Sequence, residues 1–362
     1  MDTPNDISDL LLSPEYAILK ANLTYFRSLL LSHSTELFSS LKKQQNEFKE
    51  QFQLNALDLS YRKRGNEDFL DQLKTGPVIF VSFHMGPVGP LLKYISDQGI
   101  NLMLLFDEFH YKKWANQYRS MYQEHITQKR SSQLFEILNT EELQSGMKIA
   151  KAMRDGFSLL LFIDGNTGVG GINRQDEKLC HIDFLGKKIF ARKGITYFSR
   201  MFNAPIIPVV SYYEKPEEEI NYFLEFPDLI FPDKSIPKEK FAEETIQQLY
   251  KILEKYVLKY PDQWEGWLYV NNFVDKSQIT EEEIHVEPNY ELLPLRFNSN
   301  RFSFVFENEK YFLLNLANYR HYSINEDVYK LLAGLQTLQV IPKNISTDSV
   351  NALLRAGILT KE

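Results

Sequence analysis

His84 lies in the stretch FVSFHMGPVGP, directly after the apolar, β-prone run Val78–Phe83 and just before Gly86, Pro87, Gly89 and Pro90. A titratable side chain at the carboxyl end of a buried strand is where open α/β sheets place ligands. Glycine and proline end the strand and let the backbone come close to whatever binds, which makes Gly86 a candidate contact. The competing reading is a histidine that only satisfies a turn. Two further groups of polar residues follow apolar runs of strand length. Asp107, Glu108 and His110 follow INLMLLF, and Asp164 with Asn166 follows FSLLLFI. The glycines Gly168, Gly170 and Gly171 could cradle an anion, but their spacing is not that of a phosphate loop and no Lys-Ser/Thr follows. Arg174, Lys187, Lys188, Arg192 and Lys193 could hold a phosphate or carboxylate, or form a solvated face. The compact Asp107–His110 group reads as a turn rather than a metal site, no other metal motif is present, and no G-x-S-x-G nucleophile elbow occurs.

These groups need a sheet to bring them together. Val78–Phe83, Ile100–Phe106, Leu134–Leu138, Phe157–Ile163 and Ala204–Tyr212 read as strands. Leu91–Gln98, Tyr111–His125, Leu143–Arg154, Ile195–Phe202 and Lys240–Tyr260 read as helices. Apolar strands alternating with amphipathic helices predict an α/β fold with a mostly parallel sheet flanked by helices. Residues 1–75 read as a helical N-terminal region, with helices over Tyr16–Leu31 and Glu36–Leu54 and a basic turn at Arg62–Gly65. The chain from 76 to 275 forms the α/β domain. Asp275–Pro294 is acidic, contains two prolines and suits a linker. Residues 296–362 read as a small α+β, winged-helix-like domain: a hairpin across Asn308-Glu309, a third strand at Tyr319–Ile324, and helices at Asn325–Leu335 and Thr347–Gly357.

The chain has 362 residues, enough for several domains, and 43% hydrophobic with 25% charged residues is ordinary for a soluble protein. A net charge of −7 argues against a general nucleic-acid binder, which needs a basic face. With Cys180 the single cysteine, an intramolecular disulfide is excluded and a cytoplasmic location is expected. The N-terminal MDTPNDISD lacks the basic and apolar regions of a signal peptide, and no window approaches a membrane span. Contact with lipid would therefore be peripheral.

Residues 76–275 resemble the lysophospholipid acyltransferase superfamily, in particular the lipid A late acyltransferases. The likeness runs in order through FHMGPVG, LLFDEFHYKKW, AKAMRDGFSLLLFIDGN, FLGKKIFARKGITYFSRMFNAPIIPVVSY and YPDQWEGW. It implies an acyltransferase in which His84 is the general base on an acceptor hydroxyl or amine that attacks an acyl thioester, carried by coenzyme A or acyl-carrier protein. The family pattern, H-x-x-x-x-D/E, supplies a carboxylate that orients the imidazole, but Gly89 stands at that position here. Asp107, Glu108 or Asp164 would have to take its place, or transfer is altered or lost. Under the same resemblance Gly86, Asn166, Arg174, Arg192 and Lys193 are candidates for binding donor or acceptor.

Residues 296–362, with KYFLLNLANYRHYSINEDVYKLLAGL and STDSVNALLRAGIL, resemble PqqD-type peptide-recognition domains, in which a leader peptide adds a strand to a sheet edge beside a helix. The two resemblances together imply an acyltransferase of a ribosomal-peptide modification pathway acting on a bound precursor peptide. The alternatives are a non-acylating peptide-binding scaffold and a peripheral lysolipid acyltransferase.

Overall fold

The computed structural model describes residues 11–54, 57, 59–66, 73, 75–166, 178–215, 219–279, 295–337 and 347–361. The chain divides into two compact units, Ser39–Gly266 and Met1–Phe38 with Trp267–Glu362.

In chain order the helices are α1 (Pro14–Phe26), α2 (Ser34–Leu54), α3 (Gly89–Asp97), α4 (Glu108–Gln128), α5 (Ser145–Arg154), α6 (Gly194–Phe202), α7 (Lys238–Lys259), α8 (Glu326–Thr337) and α9 (Thr347–Arg355). The unit Ser39–Gly266 contains strands β1 (Arg62–Gly65), β2 (Ile79–Ser82), β3 (Leu102–Phe106), β4 (Phe135–Asn139), β5 (Ser158–Phe162), β6 (Leu179–Phe184), β7 (Lys187–Arg192), β8 (Ile206–Pro208), β9 (Val210–Glu214) and β10 (Asn221–Phe226). Its central sheet is five-stranded in the order β4-β3-β5-β2-β8, and every pairing in it is parallel. The apolar runs form this sheet because parallel strands are covered on both faces and tolerate almost no polar side chain. Ile79, Phe80 and Val81 are fully buried, and on one face Phe80, Leu104 and Leu160 pack against Leu91, Ile95 and Tyr122 of the flanking helices. The fold is the α/β type expected, a parallel sheet flanked by helices.

Several local details depart from the sequence expectation. Arg62–Gly65 is no turn: it forms the edge strand β1, parallel to β10, which in turn pairs antiparallel with β9. An edge strand in contact with solvent can carry three consecutive charges, and Arg64 secures it by binding Glu214 and lying 3.8 Å over the Phe223 ring. Ala204–Tyr212 is divided between two sheets. Ile206–Pro208 pairs parallel with β2, with Pro208 turning its donor-less nitrogen to the sheet's outer edge while the Val209 N–H still donates to the Val81 carbonyl at 2.8 Å, and Val210–Glu214 then forms β9. The helix expected to begin at Tyr111 starts at Glu108, because Asp107 caps it by accepting from the His110 N–H at 2.6 Å. The helix expected over Tyr16–Leu31 ends at Phe26 and gives way to a 3-10 turn at Ser28–His33.

In the other unit, α1 starts from Ser13 as cap with Pro14 in the first turn. Strands β11 (Leu295–Phe297), β12 (Phe302–Glu307), β13 (Lys310–Asn315), β14 (His321–Ile324) and β15 (Leu359–Lys361) form two antiparallel sheets, β12-β13-β14 and β11-β15. The hairpin turns at Asn308 and Glu309, both with positive φ (51° and 60°), as a two-residue turn with right-handed strand twist requires. Leu295, Phe297, Phe302, Phe304 and Leu313 pack with Leu332 and Leu335 of α8 and Val350 and Leu354 of α9. Most of the segment expected to be a linker, residues 280–294, lies outside the described residues.

Candidate active site

Three strands of the central sheet deliver the polar residues. β2 leads into His84, β3 into Asp107 and β5 into Asp164, so all three groups lie at the carboxyl edge of one parallel sheet. The β5 strand lies between β2 and β3, and this exchange of neighbours brings Asp164 beside His84 although 80 residues separate them.

The Asp164 carboxylate faces His84. Oδ1 accepts from the His84 ring Nδ1 at 2.9 Å, and both oxygens accept from the His84 main-chain N–H at 3.0 Å. The Trp264 indole N–H donates to Oδ2 at 2.8 Å. Three donors on a side chain only 1% exposed hold the carboxylate in place and leave its charge nowhere to turn but the imidazole. With the Nδ1 proton directed at Asp164, the tautomer assigned from this partner leaves Nε2 as the acceptor on a ring 28% exposed. Burial lowers the His84 pKa. The charge and hydrogen bond of Asp164, with Glu265 and Asp107 further off, more than offset this and raise it above its ordinary value.

The surrounding backbone explains the glycines. Asp164 sits in a 3-10 turn, Ile163–Gly165, which the Tyr250 hydroxyl steadies by donating to the Ile163 carbonyl at 3.4 Å. A Cβ on Gly165 would lie 3.1 Å from His84 Cε1, so the imidazole rests against bare backbone. Asn166 follows in the left-handed conformation (φ 53°) and ties the turn to β7. It donates to the Phe190 carbonyl at 2.8 Å and accepts from the Arg192 N–H at 2.6 Å, and its carbonyl accepts from Arg192 Nε at 3.0 Å. Gly86 has φ +60°, and a Cβ there would be 2.5 Å from the Ser211 carbonyl oxygen. Asn166, Arg192 and Gly86 therefore shape the backbone around the histidine.

The segment YPDQWEGW closes the arrangement. Residues 263–265 run antiparallel beside 84–86: Gly86 N–H donates to the Gln263 carbonyl and Glu265 N–H to the His84 carbonyl at 3.0 Å. The Gln263 side chain bonds both main-chain groups of Tyr213 in β9, at 3.0 and 2.7 Å. Gly266 leaves room for the Trp264 indole, which a Cβ at 266 would overlap.

The other candidates are placed differently. Asp107 caps α4 and binds the His110 ring through Nδ1 at 2.6 Å. Burial raises its pKa, but the hydrogen bonds from His110 outweigh burial and lower it. Its partner ring lies 6.4 Å from that of His84, centroid to centroid. Glu108 is exposed and pairs with Lys112. Lys193 binds Glu239 at the start of α7 at 2.6 Å, a clamp between α6 and α7. Arg174 and the glycines at 168, 170 and 171 lie outside the described residues. Trp264 is a site residue to which the sequence assigned no role: its segment YPDQWEGW entered only through the family resemblance, and the hydrogen bond to Asp164 is visible only in the fold.

A His–Asp pair of this geometry can accept a proton at Nε2 while the buried carboxylate stabilises the imidazolium that forms. No family model matches the chain, and no curated protein matches it. Among solved structures, the crystal structure of the 1-acyl-sn-glycerophosphate (LPA) acyltransferase PlsC from Thermotoga maritima is similar at 14% identity, over 68% of this chain and 96% of that one. The TM-score is 0.30.

Proposed function

We propose that this chain is an acyltransferase that moves an acyl group from a coenzyme A or acyl-carrier-protein thioester to a nucleophile on a peptide held by its C-terminal unit. The carrying observation is the His84–Asp164 pair, 2.9 Å between Nδ1 and Oδ1, on an imidazole that is 28% exposed. His84 Nε2 takes the proton of the acceptor as that atom attacks the thioester carbonyl, Asp164 supports the cation that results, and the imidazolium returns the proton to the thiolate as the C–S bond breaks. The scaffold alternative drew its force from Gly89, and Asp164 supplies the carboxylate that Gly89 lacks. Peptide capture is supported by β14. Among the described residues it pairs on one side only, with Tyr322 on it 41% exposed, and such an edge suits strand addition. The single buried Cys180 fits a cytoplasmic location, and no described helix is long and apolar enough to cross a membrane.

A second reading, a peripheral lysolipid acyltransferase, is favoured by Phe109, Leu143 and Met147. They are 63%, 90% and 66% exposed on the segments that leave the carboxyl ends of β3 and β4. The test is to offer acyl-carrier-protein and coenzyme A thioesters with peptides encoded beside the gene, and in parallel with lysolipid vesicles, and to follow thiol release and product mass. Acylated peptide that disappears in His84→Ala supports the proposal. Acylated lipid alone supports the second reading, and turnover unchanged in His84→Ala refutes the base.

A further inference from the structure

The carboxyl edge of the sheet holds a second imidazole–carboxylate pair that the reaction above leaves unused. His110 Nδ1 is 2.6 Å from Asp107 Oδ2, in the same sense as His84 Nδ1 toward Asp164, so that Nε2 is the acceptor on both rings. The ring centroids are 6.4 Å apart with an interplanar angle of 35°. The two imidazoles therefore border one small volume at the carboxyl edge of the sheet. The cap of α4 does not need the His110 ring, which rests against Phe106 and Phe109. The cap is made by the His110 main-chain N–H to Asp107 Oδ1, and the ring is 44% exposed.

Resting on the acyl-transfer reading, we infer that His110 is the second proton acceptor of this site and that the acceptor substrate is a primary amine bound as its ammonium. An alcohol sheds one proton on acylation and needs one base. An ammonium sheds two before it becomes an amide. His110 Nε2 takes the first, giving the free amine. The amine nitrogen then forms the C–N bond to the thioester carbonyl while His84 Nε2 takes the second proton. As the C–S bond breaks, the leaving thiolate is protonated by one imidazolium, and the other proton passes to solvent. The charges around the two rings fit a cation. Asp107 lies on the β3–α4 junction and Glu108 on α4 with Lys112 against it. Glu141, after β4, is close enough to Asp107 and Glu108 to feel both, with Arg192 of β7 opposing. Glu265, next to Trp264, acts on His84 and Tyr118. Carboxylates outnumber cations in this set, which would repel the phosphate of a lysophosphatidate and draw in an ammonium.

The full chain labelled with [13C]histidine, its His84 and His110 signals assigned with His84→Gln and His110→Gln, is titrated with three probes. They are N-acetyl-lysine methylamide, its 6-hydroxy isostere and glycerol 3-phosphate. The lysine probe should shift both histidine signals, and His110→Gln should weaken its binding about ten-fold, the equivalent of one lost hydrogen bond to a charged group. Glycerol 3-phosphate should move neither. Equal shifts from the alcohol or the phosphate, or none from the amine, overturn the inference. Turnover with octanoyl-coenzyme A is measured alongside. There His110→Gln should reduce the preference for amine over alcohol by about 100-fold, the lower range of general-base effects. An unchanged preference also overturns it. If the wild type consumes no thioester, acyl transfer fails, while the titration still decides whether the two rings take an ammonium.

Discussion

Asparagine at position 164 removes the charge behind His84 at almost constant shape. The wild-type carboxylate accepts from the His84 main chain, the His84 ring and the Trp264 indole. In Asp164→Asn the new NH2 must face one of these three donors, and a buried donor left unpaired costs about 1–3 kcal/mol of stability. The kinetic effect is larger. An imidazolium and a carboxylate about 4 Å apart, charge centre to charge centre, attract by about 4 kcal/mol at an effective dielectric constant of about 20. Only the transition state, where the imidazolium forms, benefits from that attraction, and its loss corresponds to about 10³-fold in kcat. The pH dependence has a definite sign. Wild-type His84 titrates above 6.5, and a base must be unprotonated, so activity falls on the acid side of that raised value. In the variant the attraction is gone and burial still lowers the pKa, so the acid limb moves to lower pH as the maximum drops. Stability carries the matching signature. The share that comes from the raised His84 pKa is fully present below pH 6.5 and is lost as pH rises through the folded-state value, so the gap between wild type and variant narrows with rising pH. Thioester consumption across pH, with denaturant unfolding on either side of neutrality, measures both. An acid limb that stays in place, or a loss of less than about three-fold where about 10³ is expected, would refute the reasoning.

Other outcomes follow from the same geometry. Trp264→Phe keeps the packing and deletes one donor to Asp164, and should cost about 1.5–3 kcal/mol, read as a lower denaturation midpoint with a reduced kcat. Gly165→Ala puts a methyl 3.1 Å from His84 Cε1. It should lower kcat while the unfolding midpoint moves little, because the half-buried ring can yield where the backbone cannot; unchanged kcat would show that the ring position is not critical. Glu309→Gly relieves a positive φ in the β12–β13 turn and should stabilise its unit by about 0.5–1 kcal/mol, measured by thermal unfolding.

The parallel sheet was legible because its strands are nearly unbroken apolar runs, and the three polar groups at their ends announced themselves by interrupting those runs. What no run reveals is which ends become neighbours. That Asp164 rather than Asp107 faces His84 depends on β5 lying between β2 and β3, an order set by long-range packing. Asp107 was open to its local partner because the cap and ring bonds to His110 span only three residues. Arg62–Gly65 misled because its charges suit a turn and an edge strand equally, and the deciding contacts, with Glu214 and Phe223, lie about 150 residues away. Trp264 was hidden for a related reason. A tryptophan in the YPDQWEGW segment gives no hint that its one polar atom serves a carboxylate 100 residues earlier.

The sequence separations within the Asp164 hydrogen bonds bear on the protein's birth. A ribosome delivers His84 first, Asp164 80 residues later and Trp264 100 residues after that. A nascent chain that has exposed only the first two lacks both the indole donor and the residues 263–265 that run beside the histidine. The proposed base at His84 is therefore incomplete until the end of the α/β unit has emerged. Recovery of turnover during refolding should accordingly be among the last events, after the sheet has formed.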